Sequence, residues 1–210
     1  MILLKVDPDN PDMESIRTAA DAIRRGDLVI FPTETVYGLA ADALNDAAVR
    51  RVFDAKGRDE GHPLPVQVAS VGQLGLVASE VPRGAAALAE RYWPGPLTLV
   101  LPKNDALSQL VTGGRDTVGV RVPDHPVALA LLRELDSPII ASSANLSGQA
   151  SPTNALMAVQ TLGDSVSVVL DAGECRIGVA STVIDLSQTP PRILRAGVIG
   201  ADEIRSVVEL

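Results

Sequence analysis

The stretch LVIFPTETVYGL, residues 28–39, decides the fold class because it places a short apolar run directly before a polar loop. The run at 28–31 predicts a buried strand. The two hydroxyl groups and the phenol that follow it predict a ligand-binding loop, since open α/β sheets bind ligands beside the ends of their strands. On this stretch alone, a helix-capping loop explains the sequence equally well.

Helix and strand signals alternate on both sides of this stretch. Strands are predicted at the first residues and at 28–31, 64–69, 97–101, 118–122, 138–141, 166–170, 182–186 and 192–194. Helices are predicted at 10–26, 45–57, 82–92, 127–135, 154–162 and 202–208. No crossover helix separates the strands after residue 166, so we expect an α/β fold with a mixed sheet, in a single domain over 1–210.

The composition argues against a nucleic-acid platform. Aromatic residues make up 2% of the 210 residues, so the core must consist of aliphatic side chains and few rings are left to stack on bases. The formal net charge of −8 disfavours nucleic acid as the dominant partner, because phosphate binding needs a basic surface. A local basic cleft remains compatible with this charge.

Cysteine and histidine are too few to build a metal centre. Cys175 is the single cysteine, and His62 and His125 lack the spacing of metal ligands. The sequence has neither an apolar run that could span a membrane nor a secretory signal at its start. We therefore expect no membrane association, no protein-bound metal and a cytoplasmic location.

Small polar clusters at the predicted element ends could carry chemistry. They are KGR at 56–58, SSANLSG at 142–148, STVID at 181–185 and LRAG at 194–197. Each has a structural explanation, such as helix-end cations or Asx turns. If Lys56, Arg58, Arg121 and Arg195 converge, however, they would suit a polyanion such as ATP.

Taken together, the clusters resemble the YrdC family of threonylcarbamoyl-AMP synthases. The matching pieces cover nearly the whole chain and are PTETVYGL (32–39), KGR (56–58), WPGPLTLVL (93–101), TVGVRVPDHP (117–126), SSANLSG (142–148), STVID (181–185) and LRAG (194–197). The resemblance implies a twisted, open sheet with a concave, positively charged cavity. It also implies a nucleotidyltransferase that makes threonylcarbamoyl-AMP and pyrophosphate from L-threonine, bicarbonate and ATP for tRNA modification.

The resemblance also implies the roles of individual residues. ATP would be held by Lys56, Arg58, His62, Thr117, Ser143, Asn145, Ser151 and Arg195. Threonine would be held by Thr35, Gln67, Thr117, Arg121, Ala141 and Ser181, and Tyr37 would line the pocket. Lys56 and Arg58 would stabilise charge from a solvent-facing position, without a covalent nucleophile. Mg²⁺ would arrive with ATP, and transferase proteins that modify tRNA would receive the product.

The sequence departs from the family pattern around residues 58–67. Asp59 stands where proline is usual, His62 where asparagine is common and Gln67 where histidine is common, while Ala40 replaces a usual glycine. The chain ends soon after LRAG, which suggests the short form of the family. Weak binding of tRNA or double-stranded RNA is a further expectation for the synthase. Two alternatives stay open, namely a non-catalytic RNA-binding module of the same fold and a carbamoyl-transfer relative.

Overall fold

The structure, a computed structural model, describes residues 1–209. Its strands are β1 (Ile2–Lys5), β2 (Val29–Phe31), β3 (Gly38–Asp42), β4 (Val66–Gln67), β5 (Leu97–Pro102), β6 (Thr117–Arg121), β7 (Ile139–Ser143), β8 (Val168–Asp171), β9 (Thr182–Asp185) and β10 (Arg192–Arg195). Its helices are α1 (Met13–Arg24), α2 (Asp46–Lys56), α3 (Arg83–Tyr92), α4 (Gln109–Thr112), α5 (Pro126–Leu135), α6 (Ala155–Leu162) and α7 (Ala201–Arg205), with short 3₁₀ turns at Val71–Leu76 and Gly163–Ser165. None of these helices is both long and apolar enough to cross a bilayer.

Helix boundaries follow from capping side chains in the sequence. The Asp12 carboxylate accepts from the Ser15 amide at the start of α1, and the Asn45 side chain accepts from two amides at the start of α2. Helix α2 ends at Gly57, which takes the left-handed conformation with φ of 54°. Local chemistry therefore explains why sequence patterns located these two helices closely.

All ten strands belong to one open sheet in the order β1-β8-β2-β3-β7-β4-β6-β5-β9-β10. Strand β8 runs parallel to both β1 and β2, and β4/β6 and β5/β9 are also parallel. The pairs β2/β3, β3/β7, β4/β7, β5/β6 and β9/β10 are antiparallel. The predicted α/β class with a mixed sheet is confirmed.

Strand β3 is the main element that the sequence patterns missed. Its sequence GLAAD is poor in the β-branched and aromatic residues that favour strands. It nevertheless pairs with β2 on one side and β7 on the other, so tertiary pairing overrides local propensity. The residues PTETVY at 32–37 are consequently the connection of a hairpin, and Gly38–Leu39 already belong to β3.

The two faces of the sheet are covered to different extents. The larger apolar cluster includes residues of α2, α3, α6 and α7 on one face. On the other face α1 and α5 pack against β2, β3, β7 and β8, through side chains such as Ile16 and Leu131. The rest of this face consists of β4, β6, β5, β9 and β10 and is not covered by a helix. The residues that line the cavity described below belong to strands and loops and to none of the helices. This uncovered half of the sheet is the floor of the cavity described below.

Candidate active site

The cavity floor is built by strict alternation along its strands. On β6, Thr117, Gly119 and Arg121 face the cavity, whereas the intervening Val118 and Val120 are buried in the larger core cluster. The same alternation holds on β5 and on β9, because successive side chains of a strand point to opposite faces. One face of three neighbouring strands is thus available for ligand.

The cavity has a volume of about 520 Å³, within the range of small-molecule sites. It brings together ten of the residues singled out in the sequence, which are Thr35, Arg58, Gln67, Thr117, Arg121, Ala141, Ser143, Ser151, Ser181 and Arg195. These residues come from four strands and from the loops after β2, α2, β7 and β8. Their convergence is a property of the tertiary structure, since they are up to 160 positions apart in the chain (195 − 35).

Arg121 is held rigidly at the end of β6. Its side chain is 7% exposed, and its Nε donates to the Gly95 carbonyl at 3.0 Å. Its Nη1 donates to the Thr35 hydroxyl at 3.0 Å, and its Nη2 lies 2.6 Å from the Glu34 carboxylate. A charged side chain in an otherwise apolar strand is therefore stabilised by three separate partners.

Arg195 and Ser181 form a second polar group on the wall of the cavity. Arg195 donates through Nε and Nη2 to the Ser181 carbonyl, at 3.1 and 2.9 Å, and through Nη2 to the Ser181 hydroxyl at 3.0 Å. The Ser181 hydroxyl also lies 2.8 Å from the Thr98 hydroxyl. Burial and the nearby charge of Arg121 lower the pKa of Arg195. An anion in the cavity would relieve this repulsion between two arginines.

The expectation that Lys56 faces solvent is wrong. It is 2% exposed, and its ammonium donates to the Ser143 carbonyl and, at 2.6 Å, to the Asn145 carbonyl. Burial, and secondarily the charge of Arg58, lower the pKa of Lys56 to about 8. The structure thus places Lys56 behind the SSANLSG loop, whereas Arg58 lines the cavity itself.

Three further residues singled out in the sequence do not line the cavity. Asn145 is buried and donates to the Leu146 and Gln149 carbonyls, so it stabilises the loop that carries it. His62 is exposed on the 58–63 loop, 3.8 Å from Asp59. The prediction that Tyr37 lines the pocket is wrong, because its ring is fully buried and its hydroxyl donates to the Gly173 carbonyl at 2.8 Å.

Sequence reasoning assigned no role to several residues that line the cavity, namely Thr98, Arg115, Asp185, Gln188 and Arg192. Thr98 had a usable signal, because it is a polar residue inside the apolar run of β5. Arg192 had none, since it faces the cavity only because β10 pairs with β9, opposite Asp185. With these residues the lining contains five arginines and one carboxylate.

The donor set of the cavity does not form a protein cage for a metal ion. Asp185 is the only lining carboxylate, and its two oxygens accept hydrogen bonds from Ser187 and Gln188. Within residues 1–209, no group of three or more acidic, histidine or cysteine side chains could hold a metal. A divalent ion at this site would need most of its ligands from phosphate and water, which is how Mg²⁺ usually accompanies nucleotides.

Comparison with known proteins identifies similar sequences. The family model Sua5_yciO_yrdC, described as telomere recombination, matches residues 21–197. The threonylcarbamoyl-AMP synthase of Pyrococcus abyssi is 51% identical over 193 residues, covering 92% of this chain and 57% of that protein. The threonylcarbamoyl-AMP synthase of Bacillus subtilis is 47% identical over 194 residues, covering 92% of this chain and 56% of that protein. The chain therefore spans a little over half the length of these relatives.

The fold is similar to solved structures as well. The crystal structure of Sua5 from P. abyssi in complex with L-threonine superposes with a TM-score of 0.96 at 48% sequence identity. The match covers 100% of this chain and 61% of that protein. The resemblance found in the sequence motifs is thus confirmed by both sequence and structure.

Proposed function

From its membership of the Sua5/YciO/YrdC family, which the matches over most of its length establish, we propose that this chain is a threonylcarbamoyl-AMP synthase. It would combine L-threonine, bicarbonate and ATP into threonylcarbamoyl-AMP, with release of pyrophosphate and water. One observation carries the proposal. Ten residues that the family resemblance assigns to ATP or threonine line a single cavity of about 520 Å³.

The amino-acid substrate fits the part of the cavity around Arg121. Thr35 and Ser181 provide hydroxyl groups there, and Arg121 provides a fixed guanidinium that can bind a carboxylate. Such a site would orient the amino group of threonine toward the carbon of bicarbonate. The resulting carbamate would then attack the α-phosphorus of ATP, expelling pyrophosphate.

The triphosphate fits the arginines that have no carboxylate partner. Arg58 and Arg195 line the cavity and bond only to carbonyl or hydroxyl oxygens. Burial lowers the pKa of both, which means that each guanidinium has lost hydration that phosphate oxygens would replace. We expect catalysis by positioning and charge stabilisation, since the proposed reaction needs no covalent intermediate.

The proposal also includes a metal ion that enters with ATP and a protein that consumes the product. Mg²⁺ would enter with ATP and neutralise phosphate charge, in keeping with the donor set of the cavity. The product is a reactive mixed anhydride, so a transferase that modifies tRNA would have to consume it. We propose that both proteins act in the cytoplasm.

The test is pyrophosphate release from ATP and Mg²⁺, with L-threonine and bicarbonate each omitted in turn. The proposal expects release only when both are present, and loss of release in Arg58→Ala. Arg133→Ala is the matched control, because Arg133 lies on α5 and does not line the cavity. Tight RNA binding without any pyrophosphate release would support the RNA-binding alternative instead.

A further inference from the structure

Glu34 is a carboxylate in a place that excludes water. It lies in the loop between β2 and β3, it is 1% exposed, and it does not line the cavity. Within residues 1–209, its only cationic partner is Arg121, whose Nη2 is 2.6 Å from Oε1. Apart from this ion pair, neither carboxylate oxygen of Glu34 has a hydrogen-bond partner. A buried carboxylate with a single partner is costly, so its position calls for a functional explanation.

The partner of Glu34 is the guanidinium that the proposed function assigns to the threonine carboxylate. Arg121 has five N–H groups, of which one on Nε donates to the Gly95 carbonyl and one on Nη1 donates to the Thr35 hydroxyl. Nη2 is buried and forms the ion pair with Glu34 without an aligned hydrogen bond. One N–H group of Nη1 is therefore left to donate to a carboxylate oxygen in the cavity that Arg121 lines.

The backbone that carries Glu34 is itself fixed. The Ile177 amide donates to the Glu34 carbonyl at 2.9 Å, and the Gly178 amide donates to the Thr35 carbonyl at 2.9 Å. Glu34 and Thr35 thus contact the same guanidinium from one anchored loop. The orientation of Arg121 is set by this loop before any ligand binds.

Arg121 is also the only one of the cavity arginines to have a carboxylate partner within the described residues. The other four are Arg58, Arg115, Arg192 and Arg195. By contrast, arginines on the outer surface such as Arg24, Arg51 and Arg176 do have carboxylate partners. The cavity therefore contains one neutralised arginine and four whose charge is available to an anion.

We propose that Glu34 is a specificity-determining and positioning residue, which reserves Arg121 for a zwitterionic amino acid and keeps phosphate groups away from it. Glu34 cancels the charge of Arg121 but leaves an N–H group of Nη1 unused, so the site attracts a carboxylate by geometry more than by net charge. A polyanion interacts more favourably with the four cavity arginines that have no carboxylate partner. The two substrates are thereby sorted to different parts of one cavity. This inference rests on the proposed function.

The experiment measures L-threonine binding by calorimetry, with and without inorganic pyrophosphate, in the wild type and in Glu34→Gln. The substitution keeps the shape of the side chain and removes its charge. We expect the dissociation constant for threonine to rise about tenfold or more, because Arg121 loses its fixed orientation. We also expect pyrophosphate to weaken threonine binding further in the variant and not in the wild type. Glu34→Asp, which keeps the charge, should restore the wild-type response to pyrophosphate.

The control is Glu134→Gln, which removes a carboxylate near Arg17 and Arg24, outside the cavity. It should bind threonine as the wild type does. The inference would be overturned if Glu34→Gln binds threonine within twofold of the wild-type affinity and pyrophosphate does not compete. The proposed function would still stand in that case. A wild-type protein that binds no threonine would overturn the proposed function itself.

If Glu34→Gln does not fold, inhibition of the wild-type protein by pyrophosphate still tests the inference. The inference expects pyrophosphate to inhibit the reaction competitively against ATP and not against L-threonine. Competition between pyrophosphate and threonine in the wild-type protein would show that Arg121 accepts phosphate, and the inference would be wrong.

Discussion

Lys56 and Arg58 are two residues apart, yet the structure gives them opposite surroundings. Lys56 is buried against two backbone carbonyls, and Arg58 is half-buried with its guanidinium at the cavity. We predict that Lys56→Met lowers the free energy of unfolding by about 2–4 kcal/mol, because two buried carbonyls lose their donor. Arg58→Ala should lower it by about 1 kcal/mol or less, since Arg58 has one bond to a carbonyl. Urea denaturation of the two variants checks this, and equal losses would contradict it.

The charge of Lys56 predicts a pH dependence of stability. Its pKa is lowered from 10.5 to about 8 in the folded protein. Below pH 8 both the folded and the unfolded chain hold the proton. Between pH 8 and 10.5 only the unfolded chain does, so the free energy of unfolding rises with pH across this window, by up to about 3 kcal/mol. The difference in the free energy of unfolding between wild type and Lys56→Met, measured by denaturation, should therefore be larger at pH ~10 than at pH ~7.5. An equal difference at the two pH values would mean that the two carbonyls keep Lys56 protonated.

At the scale of the element, β10 lies close to the start of β9 because Gly197 has no side chain. A Cβ atom at Gly197 would lie 2.4 Å from the Thr182 amide nitrogen and 2.5 Å from the Ala180 carbonyl oxygen. We predict that Gly197→Ala costs about 1–3 kcal/mol of stability, because backbone atoms cannot move aside cheaply. It should also weaken ATP binding, since β10 carries Arg195.

Gly200→Ala is the matched control for this prediction. At Gly200 the nearest atom to a new Cβ is the end of the Glu203 side chain, at 3.4 Å. Its stability should stay within about 0.5 kcal/mol of the wild type. Thermal unfolding together with nucleotide binding measures both variants, and similar behaviour of the two would show that Gly197 does not hold the hairpin in place.

At the scale of the whole molecule, the chain has a net charge of −8, whereas the cavity lining contains five arginines and one aspartate. We predict that ATP affinity falls several-fold between low and high salt, because the unpaired arginines attract a polyanion by charge. L-Threonine, as a zwitterion, should lose little affinity over the same range. Calorimetric titration of each ligand at two salt concentrations tests this, and equal salt dependence of the two ligands would contradict it.

The cavity itself has a simple origin at this scale. Helices α1 and α5 cover part of one sheet face, and the strands β4, β6, β5, β9 and β10 continue beyond them. Polar side chains on the uncovered part would be costly under a helix, but in an open cavity they can meet water or ligand. The same alternation that builds the core on one face therefore presents Thr117 and Arg121 on the other.

The sequence by itself determined the α/β class, the mixed sheet, most helix boundaries and the family. These follow from short-range chemistry, such as the Asn45 cap, the Gly57 helix end and apolar runs of strand length. Tertiary structure alone decided strand β3, the burial of Lys56 and Tyr37, and the presence of Arg115 and Arg192 at the cavity. The physical reason is that strand pairing and burial depend on neighbours that are distant in the chain. Glu34 shows the limit most clearly, because its motif is evident in the sequence, while its pairing with Arg121 arises only when β2 and β6 belong to one folded sheet.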